Sequence, residues 1–85
     1  YLELIELFIE TGISDLNTLQ SESDSGNAEN AANAAHSIKG ASGSLGLTEI
    51  YEATKMVEKT CRDGMLDNVS ESVQELKKMV NKIKG

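Results

Sequence analysis

Apolar residues recur at helical spacing in four segments of the chain, and the gaps between them hold polar turn formers. From Leu2 to about Gln20, Ile5, Phe8, Gly12, Leu16 and Leu19 share one face and predict a first helix. Leu4, Leu7, Ile9 and Ile13 broaden its apolar surface. A wide buried face against two neighbours accounts for them, and a docking patch near the helix start is the functional alternative. Residues 21–27 contain no apolar side chain and read as a loop. Asn27 is then placed to cap a second helix, with Glu29 near its positive end, running to about Ser44 with Ala31, Ala35, Ile38, Ser42 and Leu45 turned inward. Gly46 stops that helix and Thr48 caps a third, with Glu49 and Glu52 in its first turn. The inward stripe of the third helix is Ile50, Ala53, Val57 and Thr60 or Cys61, and Gly64 closes it. A fourth helix starts at Asp67 or Asn68 and carries the cleanest stripe, Val69, Val73, Leu76, Val80 and Ile83. Lys77, Lys78, Lys82 and Lys84 gather at its C-terminal end, where cations complement the helix dipole.

None of these stripes is satisfied until all four meet, and the connections are short. The expected fold is therefore all-α, an antiparallel up-down-up-down four-helix bundle forming one domain over residues 1–85. A chain of 85 residues buries only about 60% of its unfolded surface, so its core must be simple and regular. The absence of proline and tryptophan suits such a core. The chain begins at Tyr1, inside an apolar periodic stretch, from which excision from a larger protein is expected.

Net charge of −6 argues against a nucleic-acid partner and against contact with a membrane surface, because both require clustered Lys and Arg. The single cysteine, Cys61, allows no internal disulfide and forms no metal-ligand cluster with the one histidine. A cytoplasmic location is expected.

Candidate chemistry is concentrated in residues 35–46, Ala-His-Ser-Ile-Lys-Gly-Ala-Ser-Gly-Ser-Leu-Gly. At about 100° per residue, His36 points roughly 140° from the centre of the inward stripe, Gly40 roughly 180° and Gly43 roughly 120°, with Lys39 at the boundary. The imidazole therefore faces water, with Lys39 and Gly40 one turn along and Gly43 a further turn beyond. Interior helical glycines cost about 1 kcal/mol each relative to alanine, so two on the histidine face call for a reason. Close approach of another macromolecule is one. The glycine spacing matches neither a P-loop nor a dinucleotide fingerprint, so no nucleotide site and no autonomous kinase activity are expected.

The run His36-Ser37-Ile38-Lys39-Gly40, followed by Ala41 and Ser42 and then Leu45-Gly46, resembles the histidine-containing phosphotransfer domain. The resemblance implies a helical bundle with His36 exposed midway along the second helix. It also implies a phosphoryl group accepted on Nε2 from a receiver-domain aspartyl phosphate and passed to another receiver aspartate. Lys39 then supports the phosphoryl charge, while Gly40, Gly43, Ala32, Asn33 and Ser37 are docking positions. Ser37 or Ser44 are candidate hydrogen-bond donors to the phosphoryl group. Phosphoryl transfer relies on positioning and charge stabilisation, and no carboxylate constellation near His36 suggests a Mg²⁺ site. The receiver domain is expected to bring the Mg²⁺, with no cofactor bound by this chain, as a monomer within a hybrid sensor kinase. Two other functions fit the same residues: the phosphoacceptor domain of a chemotaxis-type histidine kinase, with a kinase core as partner, and a helical interaction module without phosphoryl chemistry.

Overall fold

The computed structural model describes residues 2–84, which form four helices and, among the described residues, no strand: α1 Leu2–Asp24, α2 Ala28–Ser44, α3 Thr48–Arg62 and α4 Val69–Lys84. α2 packs against α1 and α3, and α4 closes the ring by packing against the same two helices. The result is a rod of 36 × 17 × 16 Å around one core. Phe8, Leu16 and Leu19 of α1 meet Ala31, Ala35 and Ile38 of α2, Ile50, Val57 and Cys61 of α3, and Val69, Val73, Leu76 and Val80 of α4. The expected stripes of α1, α2 and α4 are therefore the buried faces.

The first three helices end in the same way. Gly26, Gly46 and Gly64 have φ of 77°, 74° and 79°, the left-handed conformation that glycine adopts without a Cβ clash. Each donates its N–H three residues back, to the carbonyls of Ser23, Gly43 and Cys61. The following residues, Asn27, Leu47 and Met65, donate to Glu22, Ser42 and Thr60. These paired bonds satisfy carbonyls that the helix ends would otherwise leave open.

Three boundaries and stripe positions differ from expectation. α1 continues through residues 21–24, because a stretch without apolar side chains leaves the core without leaving the helix. Gln20 Nε2 donates to Asp24 Oδ1 at 2.9 Å, Ser23 Oγ donates to the Gln20 carbonyl, and the turn comes only at Gly26. Leu47, rather than Thr48, occupies the N-cap of α3 and makes no side-chain capping bond. The turn at Gly46 leads straight into the helix, and Leu47 uses its side chain to pack against the core. On α3, Ala53 packs against the core but is only partly buried, and its neighbour Thr54 is fully buried, its hydroxyl satisfied by donation to the Ile50 carbonyl. Cys61, not Thr60, completes the stripe. The surplus apolar residues of α1 divide: Ile9 and Ile13 pack against the core, whereas Leu4 and Leu7 are 54% and 56% exposed. Asn27 caps α2 as expected, its Oδ1 accepting from the Asn30 N–H at 3.2 Å.

Candidate functional site

α2 is rich in small side chains, and this lets two neighbours come close. Ala31, Ala32, Ala34, Ala35, Ile38 and Ser42 are all buried, leaving a single outward arc with Asn33, His36, Ser37, Gly40, Gly43 and Ser44. The His36 side chain is 62% exposed, as its helical phase requires. Ala32 does not belong to this arc. Expected as a docking residue, it is fully buried and lies by Cys61 and Arg62 of α3, because α3 closes over a methyl-sized side chain.

The ring of His36 is held by a residue that helical phase on α2 could not reveal. Glu58 of α3 is only 7% exposed, and its Oε2 lies 3.2 Å from His36 Nδ1. The other carboxylate oxygen lies 2.7 Å from Lys39 Nζ. Arg62, one turn along α3, donates to Oε2 from Nε at 3.0 Å and from Nη2 at 2.7 Å. Burial by itself raises the pKa of Glu58, but the bonds from Lys39, Arg62 and His36 and the Lys39 charge outweigh it and bring the pKa down to about 2. Glu58 is therefore a carboxylate at any physiological pH. A buried carboxylate is retained because it is paired on both oxygens.

The sequence did contain a signal for Glu58. It follows Val57 of the inward stripe and stands four residues before Arg62, so it borders that stripe with a cation at the favourable spacing.

The remaining candidates are placed as follows. Lys39 is half-buried at the edge of the inward stripe of α2, as expected, and its ammonium is engaged with Glu58. Ser37 donates to Asp15 Oδ2 of α1 at 3.1 Å, which ties the histidine turn to the first helix. Asn33 is exposed. Ser44 is about 12 Å along the helix from His36, out of reach of a group on that ring. The two glycines separate: a Cβ at Gly40 meets nothing within 4 Å, whereas one at Gly43 comes 3.2 Å from Cδ2 of Tyr51. Gly43 is thus a seat for the Tyr51 ring, and the strip left bare for another molecule narrows to Gly40. Cys61 is buried, which pushes its thiol pKa up and keeps it protonated. Among the described residues no group of three or more His, Cys, Asp or Glu is arranged to hold a metal ion.

A four-helix module that holds one imidazole outward against a buried ionic clasp defines a histidine-presenting scaffold. The Hpt domain family model matches residues 3–85, essentially the whole chain. No curated protein and no solved structure matches it. The chain belongs to the Hpt domain family, the histidine phosphotransfer modules of phosphorelays, whose members interact with receiver domains of two-component systems. None of the described helices is long and apolar enough to cross a membrane.

Proposed function

We propose that His36 is the phosphoryl carrier of this domain, taking the group from one receiver aspartyl phosphate and giving it to another receiver aspartate. The observation that carries this reading is the outward ring with Nδ1 3.2 Å from Glu58 Oε2. A proton held on Nδ1 by that carboxylate leaves the Nε2 lone pair as the nucleophile, directed away from Glu58 and into solvent. In the accepting step the Nε2–P bond forms as the P–O bond to the donor aspartate breaks, and the aspartate leaves as a carboxylate. The ring gains positive charge in this step, and Glu58 offsets it at close range. Donation to the second receiver is the reverse sequence with a new carboxylate as nucleophile.

Lys39 contributes positive charge beside the phosphoryl oxygens, shared with Glu58. The Mg²⁺ belongs to the receiver, which holds it with its own carboxylates. Connections as short as residues 25–27 and 45–47 favour antiparallel neighbours, so the carrier helix is presented by an up-down-up-down bundle. The domain acts as a monomer, because a dimer across the histidine arc blocks the receiver, and it works in the cytoplasm within a larger hybrid sensor kinase.

The deciding experiment is intact-mass analysis after incubation with a Mg²⁺-loaded phosphorylated receiver, with a His36→Gln control and with ATP alone. An acid-labile phosphate on the His36 protein only, and only with the receiver, is the expected result. Phosphate arriving instead from a chemotaxis-type kinase core with ATP, but from no receiver, replaces the relay reading with that of a kinase phosphoacceptor domain. Phosphate from neither source leaves a helical interaction module.

A further inference from the structure

The chain has eight lysines and arginines against fourteen acidic residues, and its cations are not scattered. Four lie on α4, and the other four, Lys39, Lys55, Lys59 and Arg62, line a single groove of about 400 Å³ with Glu58 and Asp63. Lys39 and Glu58 join that groove directly to His36. Four cations against two carboxylates make it locally positive on a molecule of net charge −6.

Two of these cations are not used by the ionic clasp. Lys39 and Arg62 are paired with Glu58, but Lys55 and Lys59 are exposed and make no ion pair among the described residues. They stand four residues apart on one face of α3, an arrangement that destabilises a helix through like-charge repulsion. Solvation alone explains single surface lysines, but it does not explain why two unpaired ones share a groove with the Lys39–Glu58 pair that holds the only histidine of an acidic chain.

We infer that Lys55 and Lys59 form a docking subsite that draws the acidic rim of a receiver's metal-binding site onto His36 and helps to select among receivers. This inference rests on the phosphorelay reading above. A protein that holds Mg²⁺ does so with carboxylates, so the partner surface that must reach His36 is itself acidic. Two acidic proteins repel at long range unless a local patch of opposite sign lies at the point of contact. Such a patch raises association rates by about 10- to 1,000-fold, an effect that salt removes.

The test is rapid-quench phosphotransfer from a Mg²⁺-loaded phosphorylated receiver to the 85-residue chain, from about 0.01 to about 0.5 M salt. The variants are Lys55→Glu/Lys59→Glu and, with the same change in net charge on exposed α4 positions, Lys78→Glu/Lys82→Glu. Circular dichroism confirms that both fold. The α3 pair is expected to lose about tenfold or more in second-order rate constant at low salt, converging with wild type at high salt, with the rate at saturating receiver unchanged. The α4 pair is expected to stay within about twofold of wild type. Equal losses in the two double variants reduce the effect to net charge and overturn the inference, as does no loss in the α3 pair. A fall in the saturated rate alone assigns these lysines to chemistry and also overturns it. A wild-type chain that accepts no phosphate from any receiver removes the relay reading itself.

Discussion

Gly40 and Gly43 lie about one turn apart on the exposed arc of α2, yet their missing side chains serve different ends. Gly43 gives its surface to Tyr51, and Gly40 gives its surface to nothing within the molecule. An alanine at Gly40 gains helix propensity and meets no atom, so Gly40→Ala is expected to stabilise the domain by about 0.5–1 kcal/mol in urea unfolding. The same substitution is expected to slow phosphotransfer from a receiver, since the added methyl stands one turn from His36 on the approach side. Gly43→Ala is expected to show no such stabilisation, because the Tyr51 ring must first move. If Gly40→Ala changed neither quantity, the open strip would have no role in partner approach. At this scale the exposure of His36 and Gly40 was legible from 3.6-residue periodicity. The seat for Tyr51 was not, since its two halves are on different helices.

At the scale of elements, the Glu58 clasp joins α3 to α2 in addition to their apolar contact. Its stability contribution has a defined pH window. Glu58 is depressed from 4.5 to about 2, so between those values the unfolded chain binds the extra proton. Stability from this group is therefore fully present above about pH 4.5 and is lost as the pH falls through about 2. The loss expected in acid unfolding monitored by circular dichroism is about 3 kcal/mol. Glu58→Gln should flatten that part of the profile and lower the stability at neutral pH, because Lys39 keeps its charge without a counter-ion. An unchanged acid profile in Glu58→Gln would show that the clasp contributes nothing to stability. The helices and the glycine stops of α2 and α3 could be read along the chain, but the end of α1 could not. Packing marks where a helix faces the core, and the polar residues 21–24 form helix beyond it.

At the scale of the whole molecule, the four helices have one core between them, and no helix pair has a core of its own. Leu16 and Leu76 are fully buried in it, contributed by the neighbouring helices α1 and α4. Leu16→Ala or Leu76→Ala is expected to cost about 2–5 kcal/mol, a large share of the roughly 5–15 kcal/mol available to a small domain. Each is expected to lower the unfolding temperature in a single cooperative transition, by about 4–8 °C per kcal/mol. Separate melting of α2 and α4 in calorimetry would contradict the single core. The presentation of His36 depends on that cooperativity, because the stability of a helix within a protein comes mostly from packing its apolar face.

The amino-acid sequence by itself determined the number of helices, the faces that α1, α2 and α4 bury, the glycines that end α2 and α3 and the outward phase of His36. All of these follow from local rules, the repeat of the helix and the conformational freedom of glycine, which act within a few residues. Only the tertiary structure decided that Glu58 and Arg62 complete the histidine site, that Ala32 is interior and that Lys55 and Lys59 share a groove with Lys39 and Glu58. Those relations join α2 to α3, and the distance between side chains on different helices depends on how closely the helices pack. On α2 that closeness comes from its alanines, whose effect on a neighbour appears only once the neighbour is in place.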